Sequence, residues 1–397
     1  MRQANISGNI ISRLRHNEYV SLETIESVRR ALNCQADDVL KFHFLRDAGV
    51  QNAEKYFPQE VAEIQNRRYL GNKFKLLDFI KNTVQENCSA VETVADVFSG
   101  TGAVVSAFDD KVIVTNDLLY SNYICNLAWF GSESVRLNFL ASLIEDYNRD
   151  RNFEENYMTE NFSDTYFSKI DCSKIGFIRE DIEQKFFEGL ITERERAILI
   201  ASLIYAMDKI ANTCGHYDAW RRGVIFDRRL ILPVLNVPTR NKANNRCFNE
   251  DANELVRHIK ADLIYIDPPY NSRQYSDTYH LLENVARWEK PPVYGVALKF
   301  DRKNLKSDYC TSKAVYAFED LIKHCRSKYI LFSYNNMAQK GNERSNAKIA
   351  DADIFRILNA KGSVKVFSKE HRAFTTGKSS IRGNEERLFL CKVGEME

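Results

Sequence analysis

Residues 261–270 read ADLIYIDPPY, an apolar run followed at once by a carboxylate, two prolines and a tyrosine. The run LIYI is short and apolar on both faces, which is typical of a strand buried on both sides of a sheet. Pro268 and Pro269 have no backbone N–H, so the strand ends before them. Open α/β sheets bind their ligands at the carboxyl ends of the strands. Asp267 and Tyr270 are therefore predicted to lie at a ligand-binding edge.

Six other segments have strand patterns, and helical patterns separate most of them. They read VETVAD, KVIVTND, RCFNED, SKYILFSYNN, SVKVFSK and EERLFLCKV. From Leu118 to about Val224 no clear strand pattern occurs, whereas RERAILIASLIYAMDKIA predicts a strongly apolar helix. The alternation predicts an α/β fold, with a seven-stranded, largely parallel, Rossmann-like sheet that a mostly helical insertion interrupts.

The turn after the first strand reads DVFSGTG and contains two glycines, which let the backbone bend sharply and approach a ligand. The third glycine of the dinucleotide fingerprint is missing, so NAD and FAD are not favoured. An ordinary tight turn would also explain two glycines. The second strand, however, ends in Asp117, whose carboxylate can accept hydrogen bonds from ribose hydroxyls. The two features together predict a ligand that contains adenosine.

The segment after LIYI offers hydrogen-bond acceptors next to an aromatic ring. Asp267 contributes a carboxylate, the backbone of Pro268 contributes a carbonyl, and the prolines add no competing N–H donor. Acceptors that converge on an amino group, beside a ring that stacks on a base, form a site for an exocyclic amine. An aromatic amine is a poor nucleophile, so holding it in place would supply much of the rate enhancement.

Composition excludes several classes of protein. The 397 residues are 44% hydrophobic and 12% aromatic, enough apolar surface to offset the entropy of ordering. No apolar run has the length of a membrane span or of a signal peptide. The nine cysteines include no C-x-x-C pair, and no histidine pair has metal-ligand spacing. We therefore predict a cytoplasmic protein without a disulfide framework or a metal site.

The motifs DVFSGTG and DPPY together resemble the S-adenosylmethionine-dependent amino-methyltransferases of DNA. A third segment, RRYLGNKFKLLDFI at 67–80, is similar to the methionine-binding segment of the D12 class, the Dam-type adenine-N6 methyltransferases. The order of the three segments is that of the alpha group of the class. NTCGHYDAW and DPPYNSRQYSDTYHLLENVARW extend the resemblance towards methyltransferases of restriction-modification systems. It covers 67–126 and 246–392.

The resemblance implies S-adenosylmethionine as the cofactor and a role for individual residues. The cofactor-binding positions are Tyr69 and Lys73 at the methionine part, Asp117 at the ribose, Asp251 at the adenine, and Asp96, Phe98, Ser99, Gly100 and Asp267 along the cofactor. The catalytic positions are Asp267, Pro268, Pro269 and Tyr270. The strand FSYNN at 332–336 would close the target pocket. DPPY favours adenine N6 over cytosine N4, and methylation at C5 is not expected because no cysteine follows a proline.

Such an enzyme has to flip its target base out of the duplex, because the base is inaccessible inside it. Tyr270 would stack on the flipped base, and Asn271 and Tyr275 would clamp the nucleotide. An ordinary place in the core is an equally good interpretation of Tyr275.

Charge is distributed unevenly within the predicted insertion. Residues 131–200 carry 15 acidic and 9 basic side chains, a net charge of −6. Residues 219–246, the basic segment, carry seven basic side chains against Asp227 alone, a net charge of +6. A solvated face would explain such a run, but its place between cofactor and DPPY segments is where the family recognises its target. We therefore predict phosphate and base contacts by this segment, through Arg221, Arg222, Arg228, Arg229, Arg240 and Lys242.

The first 50 residues read as short helices joined by tight turns. ISGNIISRLRHNEYVSLETIESVRRALNCQADDVLKF resembles the later helices of Cro/Xre-type helix-turn-helix domains, without the expected first helix, so the module looks truncated. A helical pad packed on the main domain is the alternative. The predicted domains are thus a helical module at 1–50, a methyltransferase domain at 60–130 and 246–397, and a target-recognition insertion at 131–245.

The predicted function is site-specific methylation of adenine N6 in double-stranded DNA. It would protect host DNA from a cognate restriction endonuclease, without an obligatory complex between the two enzymes and with the oligomeric state left open. Two alternatives stay open. One is an RNA or protein-glutamine methyltransferase, although such enzymes typically show Asn-Pro-Pro-Tyr. The other is a transcription regulator whose methyltransferase domain only senses the cofactor.

Overall fold

The computed structural model describes residue 64, residues 69–335, 347–370 and 385–394, except Cys214 and Asn271. All of these residues belong to one compact unit that spans 58–397. The module predicted at 1–50 lies outside the described residues, as does Asn271.

Seven strands, one at each predicted segment, form a single sheet in the described part of the chain. They are β1 (Thr93–Asp96), β2 (Val112–Asn116), β3 (Arg246–Phe248), β4 (Leu263–Ile266), β5 (Tyr329–Asn335), β6 (Gly362–Glu370) and β7 (Glu385–Val393). Their order is β3-β2-β1-β4-β5-β7-β6, and neighbours among the first five are parallel. β7 is antiparallel to both β5 and β6. The prediction of a seven-stranded α/β sheet is confirmed.

Twelve α-helices of four residues or more accompany the strands in the described residues. They are α1 (Leu77–Asn87), α2 (Ala103–Ser106), α3 (Tyr120–Phe130), α4 (Leu137–Asn148), α5 (Tyr157–Phe162), α6 (Lys169–Phe187), α7 (Glu193–Ile210), α8 (Ala252–Leu255), α9 (Tyr275–Thr278), α10 (His280–Arg287), α11 (Ala314–His324) and α12 (Asp351–Asn359). Short 3₁₀ turns occur at Phe74–Leu76, Lys303–Leu305 and Asp308–Cys310.

The sheet has a hydrophobic core on each face, which explains the apolar runs of its parallel strands. On β4, Leu263 and Tyr265 belong to one core, which also contains the buried faces of α1, α3 and α10 and the helices α4–α7. Ile264 and Ile266, the alternate residues, belong to the other core, together with α8, α11 and α12. Side chains of a strand alternate between faces, so a strand covered on both sides needs apolar residues at every position.

The predicted insertion is helical only in its first part. Helices α4–α7 end at Ile210, and no helix or strand follows in the described residues up to 245. Between Leu230 and Pro233 the chain is instead held by side chains of the helices. The carboxylate of Asp171 accepts a hydrogen bond from the Leu230 N–H, and the Ser202 hydroxyl donates one to the Pro233 carbonyl. These bonds pair backbone groups that would otherwise be buried without partners.

None of the helices in the described residues has both the length and the apolar character needed to cross a membrane.

Candidate active site

One cleft brings together the residues predicted to bind the cofactor and to perform catalysis. The space between its walls, open solvent included, is about 970 Å³. It lies where β1, β2 and β4 end, as expected for an open α/β sheet. The predicted positions that line it are Tyr69, Lys73, Asp96, Phe98, Ser99, Gly100, Asp117, Asp251, Asp267, Pro268, Pro269, Tyr270 and Tyr275.

The glycine turn is fixed to the end of β2 by hydrogen bonds. The Ser99 hydroxyl donates to the carbonyl of Asn116 at 2.6 Å, and the Asn116 N–H donates back to that hydroxyl at 2.8 Å. Gly100 has a φ of +50°, and a Cβ there would lie 3.1 Å from Cε1 of Tyr69. A residue with a side chain would therefore be strained at this position and would press on the ring. The helix that follows, α2, has only four residues.

Asp117 connects the second strand to the glycine turn. Its Oδ2 accepts a hydrogen bond from the Gly100 N–H at 2.9 Å, and its Oδ1 accepts one from the Leu119 N–H at 2.9 Å. Burial raises the pKa of Asp117 to about 6, although hydrogen bonds from Leu119, Asn122 and Gly100 oppose that rise. The carboxylate thus holds the turn in place and also faces the cleft.

Three tyrosines hold the segment that precedes the first helix against the cleft. The ring of Tyr69 stacks on the ring of Tyr279 with centroids 4.7 Å apart, and the ring of Tyr275 lies 5.4 Å from that of Tyr69. The Tyr279 hydroxyl accepts a hydrogen bond from the Leu70 N–H, and the Tyr275 hydroxyl donates one to the Leu70 carbonyl. Tyr275 thus packs in an aromatic cluster and also lines the cleft, and its contact with a flipped nucleotide stays a prediction.

A buried lysine lies between two carboxylates at the floor of the cleft. The Nζ of Lys73 is 3.0 Å from Oδ1 of Asp267 and 3.2 Å from Oε1 of Glu386. Burial lowers the pKa of Lys73, but the two carboxylates outweigh that effect, and its pKa lies well above the ordinary value. Burial raises the pKa of Asp267 to about 6; the Lys73 ammonium opposes this rise and the Glu386 carboxylate adds to it. Burial also raises the pKa of Asp96 well above its ordinary value.

Aromatic side chains form the remaining walls. Tyr270 is edge-on to Tyr334 of β5 with centroids 6.3 Å apart, and its carbonyl accepts a hydrogen bond from the Lys348 N–H. Phe98 is edge-on to Tyr309 at 5.1 Å. Asp251, which is exposed, caps the first turn of α8 by accepting a hydrogen bond from the Asn253 N–H. A ring beside a carboxylate on a strand end is suited to holding a flat base that carries an amino group.

Sequence reasoning missed two groups that take part in the site. Tyr309 lines the cleft from the 3₁₀ turn at Asp308–Cys310. Glu386 is 5% exposed and comes from β7. In a parallel sheet, ligand-binding residues are expected just after the carboxyl ends of the strands. Glu386 lies at the start of β7, which is antiparallel, so this expectation does not include it. A charged residue within the strand pattern EERLFLCKV was the available signal.

The structure does not bring the residues of the basic segment to one place. At its start, the Trp220 indole donates a hydrogen bond to the Val296 carbonyl, and the Arg221 carbonyl accepts one from Asn212. The preceding Tyr217 N–H binds the carbonyl of Thr278 in α9, which follows the DPPY loop. Arg221 and Arg222 are exposed here, beside the carboxyl edge of the sheet.

The end of the basic segment lies elsewhere. The Lys242 ammonium donates hydrogen bonds to the carbonyls of Asp109 and Lys111, in the loop that enters β2. This is the amino edge of the sheet, opposite the cleft. Between the two ends, Arg228 donates to the Lys209 carbonyl at the end of α7, and Arg229 pairs with the exposed Asp150. Arg240 is exposed.

Among the described residues, no group of three or more His, Cys, Asp or Glu side chains could hold a metal ion.

Two sequence families match the chain. The profile described as D12 class N6 adenine-specific DNA methyltransferase matches residues 69–343, more than half of the chain. The profile of the Cro/C1-type helix-turn-helix DNA-binding domain matches residues 1–44. The second match confirms the predicted type of the N-terminal module.

Curated relatives are modification methylases. Modification methylase LlaI of Lactococcus lactis subsp. lactis is 32% identical over 81% of this chain and 53% of its own length. Modification methylase StsI of Streptococcus sanguinis is 40% identical over 68% of this chain and 44% of its own. Type II methyltransferase M.FokI of Planomicrobium okeanokoites is 36% identical over 77% of this chain and 49% of its own. The chain thus spans about half the length of these three relatives.

Proposed function

Since this chain belongs to the family of D12 class N6 adenine-specific DNA methyltransferases, we propose that it transfers a methyl group from S-adenosylmethionine to N6 of adenine in duplex DNA. The observation that carries the proposal is the position of Asp267. This carboxylate lies at the end of a buried strand, in the same cleft as the glycine turn and Asp117. A cofactor site and an acceptor for an amine therefore share one cavity.

The residues of the cleft fit S-adenosylmethionine. Its cationic sulfonium and ammonium groups suit a wall that contains the carboxylates of Asp96, Asp117 and Asp267. The close approach of the glycine turn to Tyr69 favours glycine at position 100, where a side chain would be strained and tight against the ring. When bound, the cofactor supplies the electrophilic methyl group. We assign its methionine part to Tyr69 and Lys73, its ribose to Asp117 and its adenine to Asp251, with Asp96, Phe98, Ser99, Gly100 and Asp267 along its length.

The protein's part in the transfer is to hold the amine and accept its hydrogens. Asp267 and the Pro268 carbonyl are the acceptors, and they favour an sp³-like nitrogen whose lone pair points away from the ring. Pro269 fixes the chain between this carbonyl and Tyr270, whose ring stacks on the flipped base. Because Asp267 follows a fully buried strand, its backbone is held rigidly, which suits a reaction that depends on placement.

DNA contact is proposed for the insertion, 131–245, and for the loop after DPPY. Arg221 and Arg222 are exposed and follow Tyr217, whose N–H is bonded to Thr278 of α9, so we assign them to the phosphates of a duplex whose flipped base enters the cleft. Tyr275, at the start of α9, lines the cleft and is proposed, with Asn271, to clamp the nucleotide. Arg228 and Arg229 extend the exposed surface, whereas Lys242 lies at the opposite edge.

The proposed biological role is modification that protects host DNA from a cognate restriction endonuclease. It is supported by the names of the relatives, which are modification methylases or type II methyltransferases.

One labelling experiment tests the proposed reaction. Purified protein with tritiated S-adenosylmethionine is expected to label adenine in duplex DNA. Asp267→Ala is expected to lower the transfer rate by roughly 100- to 1,000-fold, as when a group that stabilises the transition state is removed, whereas cofactor affinity is expected to fall much less because Asp267 is one of several residues assigned to the cofactor. The matched control is Asp110→Ala, which removes an exposed carboxylate at the other edge of the sheet. Label in cytosine, RNA or protein instead would contradict the proposed substrate.

The N-terminal match supports a second proposal, that residues 1–44 contact DNA independently of catalysis. A footprint on the protein's own promoter is expected to survive Asp267→Ala. Absence of promoter binding at low salt would contradict this proposal without affecting the first.

A further inference from the structure

Glu386 is buried beside Lys73, which lines the cleft, and neither the glycine turn nor the DPPY motif accounts for it. It is 5% exposed, Lys73 is 6% exposed, and Ser333 is completely buried. The Ser333 hydroxyl donates a hydrogen bond of 2.8 Å to Oε1 of Glu386, the same oxygen that lies 3.2 Å from the Lys73 ammonium. A buried carboxylate is costly unless it is paired and hydrogen-bonded, and Glu386 is both.

The direction of β7 places Glu386 next to Lys73, which lines the cleft. β7 is antiparallel to β5, and Glu386 is paired with Asn335 at the carboxyl end of β5. The first residues of β7 therefore lie at the edge of the sheet where the parallel strands end. Ser333 and Asp267 come to that edge from β5 and from the end of β4. Three neighbouring strands thus supply the groups around one ammonium.

We propose that Glu386 is a positioning residue for methyl transfer: it holds the Lys73 ammonium beside Asp267 in contact with Oδ1, so that Oδ2 accepts the hydrogen bond of the target amine. The proposal rests on the adenine-N6 transfer proposed above. An ammonium has three donors, and here one meets Asp267 and one meets Glu386. Without Glu386, Lys73 would be attracted to both oxygens of Asp267 and would compete with the amine for them.

Charge balance gives Glu386 a second effect, on the pH at which Asp267 becomes an acceptor. The carboxylate of Glu386 raises the pKa of Asp267, and the Lys73 ammonium lowers it. The titratable groups that face Asp267 are Lys73, Asp96 on β1, Tyr265 on β4, Tyr270, Tyr275 on α9 and Glu386 on β7. Among these groups, the carboxylate that raises the pKa of Asp267 is Glu386, and Lys73 contacts Glu386 directly.

The test compares Glu386→Gln with Glu385→Gln. Both changes remove one negative charge from the start of β7, but side chains of neighbouring strand residues point to opposite faces. We expect Glu386→Gln to lower kcat about tenfold, one decade for a lost charge-assisted contact. The acid limb of kcat/KM for DNA, measured at saturating cofactor, is expected to move to lower pH because the repulsion on Asp267 is gone. Cofactor affinity is expected to stay within about threefold, and Glu385→Gln is expected to behave as the unchanged protein.

Conservative variants separate charge from placement. Glu386→Asp keeps the negative charge but shortens the side chain. The acid limb of its kcat/KM profile is therefore expected at the same pH as in the unchanged protein, whereas its kcat is expected to be reduced. Ser333→Ala keeps the charge but loosens Glu386, and we expect kcat to fall a few-fold without a shift of the limb. If Glu386→Gln does not fold, Glu386→Asp and Ser333→Ala still test the proposal.

Two outcomes have different meanings. If the unchanged protein labels no DNA, the proposed function fails. If it labels adenine and Glu386→Gln has the kcat and acid limb of Glu385→Gln, or Ser333→Ala keeps full kcat, the positioning role is wrong and the proposed function stands.

Discussion

The cleft and the basic segment are organised in opposite ways. The cleft collects residues that are far apart in the chain, such as Tyr69, Lys73, Asp117 and Asp267, and fixes each of them through contacts with neighbouring elements. The basic segment contains cations that are close in the chain, and the structure distributes them from the carboxyl edge to the amino edge of the sheet. Nearness in sequence is therefore a poor guide to a charged surface, whereas strand ends are a good guide to a cleft.

The physical reason lies in what holds each region. Strand ends of a parallel sheet have to meet at one edge because the backbone ladders align them. An extended segment without its own helix or strand follows the surface of other elements, and here it crosses from α9 to the loop before β2. Its charges therefore follow the path of the chain and do not share one face.

The largest expected effect tests the tight packing of the cleft. Gly100→Ala places a Cβ at a φ of +50° and 3.1 Å from the ring of Tyr69. We expect cofactor affinity to fall roughly 100-fold, because the strain of about 1–3 kcal/mol is relieved by moving the turn and the Tyr69 ring, and both line the cleft. Isothermal titration with S-adenosylmethionine measures it.

The matched control for this change is in the basic segment. Gly223 has a φ of +67°, but no atom lies within 4 Å of a Cβ built there. Gly223→Ala is expected to carry backbone strain alone and to leave cofactor affinity unchanged. Equal losses in the two variants would mean that strain anywhere in the unit lowers the affinity, and the contrast between the regions would fail.

How much of the molecule was predictable follows from the same contrast. All seven strands were predicted from their patterns, and the central strands β4 and β5 were visible as apolar runs because a sheet covered on both faces needs apolar residues at consecutive positions. The edge strands β3 and β6 are mostly exposed or half-buried and show no such run. The positions predicted to bind the cofactor came from motif resemblance, and they line one cleft. The reversal of β7 was not visible, and so Glu386 was missed.

Two other features depend on contacts that a local pattern does not contain. Lys73 reads as one of two lysines in NKFKLL, and only the fold shows which of them is buried between carboxylates. The irregular course after Ile210 is stabilised by side chains of α4, α6 and α7, such as Asn148, which accepts a hydrogen bond from the Leu232 N–H. Such pairs join positions many residues apart.

A change of pH is expected to separate the two regions. Asp267 and Asp117 both have pKa values raised to about 6 by burial. Both are ionised at pH 8 and become protonated as the pH falls through 6, when Asp267 can no longer accept from the amine with that oxygen. At subsaturating cofactor, we expect kcat/KM to fall between pH 7 and pH 5 by about tenfold for the protonation of Asp267 and by about tenfold again for that of Asp117. Arginines do not titrate in this range, so DNA affinity is expected to change little.

The variant Asp117→Asn identifies the groups in that profile. It removes one titrating carboxylate, so the acid limb at subsaturating cofactor is expected to become less steep, while the limb at saturating cofactor keeps its shape. A DNA affinity that falls in parallel with kcat/KM would show that acid loosens the whole unit and does not act on the cleft.

The smallest expected effect decides whether the basic segment acts as one surface. Two double variants are compared, and each removes two positive charges. The first replaces Arg221 and Arg222 with alanine, in the part of the basic segment that follows the contact with α9. The second replaces Arg240 and Lys242 with alanine, in the part at the amino edge of the sheet. If only Arg221 and Arg222 contact phosphates, replacing both is expected to weaken DNA binding about fivefold. The slope of log K against log salt is expected to fall in magnitude by about 1.8, because each neutralised phosphate contributes about 0.9. The second pair should leave both quantities unchanged. Fluorescence anisotropy with a duplex at several salt concentrations measures them. Equal slopes lost by both pairs would show that DNA wraps from one edge of the sheet to the other, and the sequence-based view of a single basic surface would then be the better description.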